Sequence, residues 1–242
     1  MSLLLVHEAE GREYLLAPGD TLETDLGILE VPEDVQPGDT VQTHLGTTFT
    51  ARRLRGPDLF HHLERTGAPM MPRDVGLVIG HTGIGSDDRV LDAGTGTGVL
   101  AAALGRIGAS VVTYERDPEF AETARENMRL AGVDDAVEVR TDDLTDHLVE
   151  LSGFDVLTLD TEDAADVVAH APNLLVRGGF VAVYSPFVED TREVVEQAHE
   201  IGLEDVRTLE TIQRGMDFDN RGSRPSTAGV GHTGYLTFAR LP

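Results

Sequence analysis

The stretch RVLDAGTGTGVL at residues 89–100 carries a short apolar run into three glycines on alternate positions, Gly94, Gly96 and Gly98. A strand that turns through glycines into a helical pattern brings its backbone close to a ligand and faces that ligand with the first helix amides. Two cofactor classes use such a turn. The frame Gly96-x-Gly98-x-x-Ala101 fits the dinucleotide pattern, and Glu115, closing the next apolar run, is placed for ribose hydroxyls in either class.

Asp92 separates the two classes. A carboxylate two residues before the first glycine repels a pyrophosphate but suits the ammonium group and sulfonium of S-adenosylmethionine. The donor is therefore expected at Asp92, Gly94, Gly96, Thr97, Gly98, Val99, Leu100 and Glu115.

Outward from this turn, apolar strand candidates alternate with helical stretches. The strands are RVLDA (89–93), SVVTYE (110–115), AVEVR (136–140), FDVLTLD (154–160) and GFVAVYS (179–185), and VRTLETI (206–212) and HTGYLTFAR (232–240) close the series. Helical patterns fall near 97–107, 117–131, 143–150, 163–176 and 190–202. That alternation implies right-handed crossovers and a mostly parallel sheet. The last two strands have no helix between them, so they form an antiparallel pair joined by the loop 213–231. The expected fold is α/β: a Rossmann-like class I methyltransferase sheet of seven strands, mostly parallel, with an antiparallel carboxyl-terminal hairpin. Ligands of such sheets bind outside the carboxyl ends of the strands, here Asp92, Glu115, Asp143, Asp160 and Tyr184. Asp142 and Asp143 are adjacent, and either is placed to face the adenine amino group.

Upstream, residues 1–56 read as short strands broken by Pro-Gly and Gly-Asp corners, a small β module. Residues 57–88 form a helical connector, and 89–242 the catalytic domain.

The chain has 242 residues, 40% of them hydrophobic, enough for a buried core. Asp and Glu number 43 against 19 basic residues, every one of them Arg, for a net charge of −24. Such a surplus ordinarily argues against a polyanionic partner, because phosphate affinity comes from Lys and Arg. The acids are dispersed along the whole chain rather than gathered in a tail, which reads as adaptation to molar salt. There the screening length shrinks to about 3 Å and self-repulsion is damped. A nucleic acid then remains an admissible partner where arginines cluster, as Arg214, Arg221 and Arg224 do. With no cysteine there is neither a disulfide framework nor a thiolate metal site. No apolar run reaches membrane-spanning length, and the opening MSLLLVHEAEGREY lacks the marks of a signal peptide, so no membrane association is expected.

Several further segments occur in the order of one family. LDAGTGTGVL with TYERDPEFAETARENM, FDVLTLD, RGGFVAVYSP and SRPSTAGVGHTGYLTFAR resemble the tRNA adenine-N1 methyltransferases that modify the T-loop at adenine 58 and, in some archaeal members, at adenine 57. The segment VQTHLGTTFTARRLRGPDLFHHLERTGAPMMPRD is similar to the threonine-rich small domain and connector of that family, so the resemblance spans nearly the whole chain. It implies S-adenosylmethionine as cofactor, tRNA as partner, a cytoplasmic enzyme, and assembly into a homo-oligomer, a tetramer.

The resemblance assigns Asp160 to the acceptor base. Methylation of adenine N1 leaves positive charge over N1 and the exocyclic N6, and a carboxylate hydrogen-bonded to N6 stabilises it more in the transition state than before. No metal is required. Tyr184 and His232 are candidates to contact the unstacked base, Arg224 to contact phosphate, and Tyr235, at mid-strand, reads as core. Two departures from the family pattern stand out. Met71 occupies the position of a family tyrosine, and Thr161-Glu162-Asp163-Ala164 replaces proline-containing text after Asp160. The alternatives to this function are a methyltransferase of a small molecule and a non-catalytic tRNA-binding subunit.

Overall fold

The structure is a computed structural model, and it describes residues 2–229 and 231–242. Six short strands come first: β1 (Leu3–His7), β2 (Arg12–Leu16), β3 (Thr21–Thr24), β4 (Gly27–Glu30), β5 (Thr40–Gln42) and β6 (Thr48–Arg53). Four of them form an antiparallel sheet in the order β2-β1-β6-β5, while β3 and β4 pair as a separate hairpin. Leu5, Leu29 and Phe49 fill a small core of their own, and the Phe49 ring packs on His7 and Tyr14.

Helices α1 (Gly56–His62) and α2 (Pro72–Thr82) tie this sheet to the rest. The start of α1 is fixed by Asp58, whose carboxylate accepts the Arg55 N–H at 2.7 Å, and Pro72 opens α2 with its φ already helical. Leu54, Leu59 and Leu63 enter the main core, and the Arg106 guanidinium donates to the Leu54 carbonyl at 3.0 Å.

The large sheet holds β7 (Arg89–Ala93), β8 (Ser110–Glu115), β9 (Val137–Thr141), β10 (Phe154–Leu159), β11 (Leu175–Ser185), β12 (Glu204–Glu210) and β15 (Tyr235–Arg240). Its order is β12-β15-β11-β10-β7-β8-β9, and β15 runs antiparallel between β11 and β12. Alternate residues point to opposite faces. Val90, Val156 and Ala182 pack toward α2, α3 (Val99–Arg106) and α4 (Pro118–Ala131). Leu91, Leu157, Val181 and Val183 pack toward α5 (Ala164–Ala169), α6 (Ala171–Leu174) and α7 (Val188–Glu200). From β7 the chain builds outward through β8 and β9, then returns to place β10 on the other side of β7. The strand order therefore reverses between β7 and β10, and the crevice opens at their carboxyl ends.

Three elements differ from the sequence expectation. The helix expected at 143–150 is one 3-10 turn, Leu144–Asp146, because the Asp143 side chain caps Thr145 at 2.9 Å and the chain must turn into β10. The helix expected at 163–176 is split, since Pro172 has no N–H to continue α5, and β11 begins at Leu175, four residues early. The loop expected at 213–231 contains a hairpin, β13 (Met216–Asp219) with β14 (Gly222–Pro225); its position 230 lies outside the described residues. Among the described residues no helix is long and apolar enough to cross a membrane.

Candidate active site

Backbone contact between β7 and β10 sets the floor of the site. The Ala93 carbonyl accepts the Asp160 N–H at 2.9 Å, and Gly94 turns away at φ +88°. A Cβ on Gly94 would lie 2.0 Å from the Asp160 carbonyl oxygen, so no other residue fits. The amides of Gly94 and Thr95 then bond the Tyr114 carbonyl, which fastens the turn to β8.

A cleft of about 560 Å³ opens there, lined by Gly94, Gly96, Glu115, Asp143, Asp160 and Tyr184 among others. Glu115 is nearly buried. One of its carboxylate oxygens accepts the Gly96 amide at 2.9 Å and the other the Asp117 amide at 3.1 Å, which fixes the group against the glycine turn. The acidic pair at the end of β9 is divided by its bonds. Asp142 binds the His147 ring at 2.8 Å, and that bond holds its carboxyl below the usual range. Asp143 accepts the Thr145 hydroxyl and amide through a single oxygen, at 2.7 and 2.9 Å, and among the described residues its second oxygen accepts no hydrogen bond. Beside them Tyr114 carries the Arg140 guanidinium on its hydroxyl at 2.8 Å.

Asp92 lies deeper than the sequence suggests. The register Thr113–Asp92–Thr158 across β8, β7 and β10 puts the three side chains on one face. Thr113 donates to one carboxylate oxygen and Thr158 to the other, both at 2.5 Å. Because Thr113 spends its proton on Asp92, the Thr95 hydroxyl must donate to Thr113, which it reaches at 2.5 Å. Asp92 is thus a buried carboxyl that has two hydroxyl donors and borders the glycine turn from below. Burial pushes its carboxyl up, against these two bonds.

Thr97, Gly98, Val99 and Leu100 do not line the large cleft; they border a small adjoining crevice of about 50 Å³ with Asp92, Asp160, Ala68, Pro69 and Met70. The Thr97 hydroxyl accepts the Thr66 amide at 3.2 Å, so it serves the connector as well as the turn. The connector's closure over the glycine turn is a feature the sequence reading missed; the breakers Gly67, Pro69 and Pro72 between two helical stretches were the available signal.

Asp160 is exposed to the open cleft, yet protein atoms crowd its carboxyl, and this partial loss of water, together with the negative charge of Asp92, pushes the group from 3.8 up to about 7. The register Leu159–Val183 sets Asp160 and Tyr184 side by side at the ends of β10 and β11. The Tyr184 hydroxyl donates to the Thr233 carbonyl. The departure at 161–163 has a role in the structure: Glu162 and Asp163 meet Arg116 across the cleft mouth at 3.3 and 3.8 Å.

The two remaining candidates lie outside that lining. His232 faces two acceptors, Glu210 at 2.7 Å and the Pro186 carbonyl at 3.2 Å. The pKa of the ring is raised by the Glu210 bond first and the carbonyl second. Arg224 sits on β14 opposite Asp217, 4.0 Å from its carboxylate, while Arg221 pairs with Asp219 at 3.3 Å. Tyr235 is half-buried and packs on the His232 ring.

A glycine turn with an acidic strand end on each side is the arrangement of class I methyltransferases, and comparison with known proteins narrows it. Residues 62–222 match the family model described as tRNA methyltransferase complex GCD14 subunit. The chain belongs to this family. It is 34% identical to the tRNA (adenine(57)-N(1)/adenine(58)-N(1))-methyltransferase TrmI of Methanocaldococcus jannaschii, over 99% of this chain and 94% of that one. Among solved structures, a SAM-dependent O-methyltransferase of Thermotoga maritima superposes with a TM-score of 0.80 at 25% identity, over 99% of this chain and 92% of that one. TrmI of Aquifex aeolicus, a tRNA (m1A58) methyltransferase, shares the fold with a TM-score of 0.73 at 22% identity, over 99% and 96%. The expected Rossmann-like fold with seven strands in its main sheet is therefore the fold of this family.

Proposed function

We propose that the protein methylates N1 of adenine in the T-loop of tRNA, at position 58 or 57, with S-adenosylmethionine as donor. The observation that carries this reading is the placement of Asp160, a carboxylate with a raised pKa, at the strand end that abuts the glycine turn.

The cleft suits the donor chemically. Glu115 presents a fixed carboxylate for ribose hydroxyls, and the glycine turn lets a ligand approach the backbone. Asp143, whose Oδ1 alone is engaged by Thr145, is the better placed of the acidic pair for an adenine amino group, whereas Asp142 is committed to His147. Among the described residues the buried Thr66 hydroxyl has no partner, and it stands beside Gly96. Asp92 contributes negative charge beneath it.

The donor supplies an electrophilic methyl group. Asp160 accepts a hydrogen bond from the adenine N6 amino group, and that bond strengthens as positive charge develops over N1 and N6. It then takes up the proton that neutralises the product base. Because its pKa is about 7, the group can do both near neutrality. Tyr184 packs its ring against the base, and Met71, where the family has tyrosine, is the residue that precedes α2.

The hairpin of Arg221 and Arg224, with Arg214 at its base, serves tRNA phosphates, and Arg221 and Arg224 exchange weak exposed ion pairs for phosphate contacts. His232, held by Glu210 and the Pro186 carbonyl, stands at the base of that loop. Residues 1–56 act as a separate β module, 57–88 as connector and 89–242 as the catalytic domain. Exposed Phe187, Ile212, Met216 and Phe218 support assembly into a homo-oligomer, for which the family's tetramer is the natural form. The enzyme works in the cytoplasm at molar salt.

The test is product analysis. Unmodified tRNA and labelled donor are incubated with the protein at high KCl, and the nucleosides are resolved after digestion. Label in 1-methyladenosine is expected. Label in another nucleoside, or transfer to a small molecule alone, would overturn the reading.

A further inference from the structure

Beneath the acceptor end of the cleft, three distant parts of the chain meet at Thr233. Its hydroxyl accepts from Arg73 Nη2 at 2.6 Å and donates to Asp74 Oδ2 at 3.2 Å. Arg73 and Asp74 have side chains only 7% and 6% exposed, and their closest approach is a long 3.5 Å. Thr233 therefore bridges a buried ion pair at the head of α2. Its carbonyl holds the Tyr184 hydroxyl. The next residue leaves room for this: a Cβ on Gly234 would lie 2.5 Å from the Tyr184 ring, so the ring fills the space a side chain would need.

The phenol has a competing partner. Tyr184 stands beside Asp160 in register, and both line the cleft. A hydroxyl bonds a carboxylate about twice as strongly as it bonds a neutral carbonyl. Left to itself, Tyr184 would donate to Asp160 and occupy the oxygen needed by the acceptor base. We propose that Thr233 is a positioning residue for methyl transfer: fixed by Arg73 and Asp74, it parks the Tyr184 hydroxyl on its own carbonyl and leaves the Asp160 carboxylate free. The proposal rests on the methyltransferase reading and extends it to a residue that touches neither donor nor base.

Thr233→Val keeps the size and removes the hydroxyl. Its kcat with tRNA is expected to fall about 10-fold or more, as for a misplaced catalytic group. The KM for the donor and the affinity for S-adenosylhomocysteine stay at the parent values, and Thr233→Ser restores kcat. Adding Tyr184→Phe to Thr233→Val removes the competing phenol, so the double variant turns over faster than Thr233→Val alone. A second readout needs no turnover. The protein has four tyrosines, and after incorporation of 3-fluorotyrosine the Tyr184 signal is identified by its loss in Tyr184→Phe. That signal moves in Thr233→Val and returns in Thr233→Ser. An unmoved signal, an unchanged kcat, or a double variant no faster than the single one overturns the proposal. Should Thr233→Val fail to fold, Asp74→Asn loosens the same anchor, and an unmoved Tyr184 signal there is equally fatal. A parent protein that methylates no tRNA sinks the functional reading, while the fluorine signals still decide the role of Thr233.

Discussion

Gly94 and Asp160 meet backbone to backbone, so closely that a Cβ on Gly94 would lie 2.0 Å from the Asp160 carbonyl oxygen. The cofactor turn and the acceptor carboxylate are thus one rigid unit. Gly94→Ala must displace the end of β10 and also hold alanine at φ +88°. The expected cost is on the order of 2 kcal/mol or more from strain and overpacking. Donor affinity and turnover fall together. Unfolding in denaturant and calorimetric titration with S-adenosylhomocysteine check this; a Gly94→Ala protein with parental stability and affinity would contradict it.

Asp160 makes stability fall with pH. Its carboxyl rises from 3.8 in the unfolded chain to about 7 in the fold, so between those values the folded state holds more protons. Stability then decreases as pH climbs through that window. Asp160→Asn has no such proton to lose. Its melting temperature should therefore gain on the parent's between pH 4 and 7 and keep a constant lead above. A difference that is flat with pH would remove the raised pKa from the account. In turnover, kcat/KM for the donor should drop as pH is lowered through about 7, because the free enzyme's Asp160 becomes protonated.

The Asp92 carboxylate relies on its threonines. Thr113→Val strips one hydroxyl donor from a buried charge and leaves the Thr95 hydroxyl without its acceptor. The expected loss is about 1–3 kcal/mol, or roughly 2–4 °C of melting temperature per kcal/mol for a chain of this length. Thermal unfolding of Thr113→Val against Thr113→Ser reads it, and serine should recover most of the loss. Equal melting temperatures for valine and parent would mean the bond contributes nothing.

A charge of −24 repels itself. Melting temperature should climb steeply from low salt into molar KCl as the repulsion is screened. A melting temperature independent of KCl would leave the acidic composition without this explanation.

Much of the fold was legible because strand periodicity and the glycine turn are local signals. Residues 89–100 identified a strand, a turn and a helix, and all three stand where they were expected. The single turn at Leu144–Asp146 was not legible, since an Asp that caps its own neighbour competes with helix only in context. Of the site residues, Glu115, Asp143, Asp160 and Tyr184 could be placed on one cleft from strand ends alone. Asp92 could not be placed at its depth, because only the register with Thr113 and Thr158 shows where its oxygens go. The same holds for Thr233, whose partners lie 159 and 160 residues away in sequence.

The most direct test compares parent and Asp160→Ala with unmodified tRNA at molar KCl, following 1-methyladenosine formation and S-adenosylhomocysteine binding in the same preparations. The account predicts a loss of methyl transfer of about 100-fold or more with binding retained. An Asp160→Ala protein that forms 1-methyladenosine at the parental rate would contradict it.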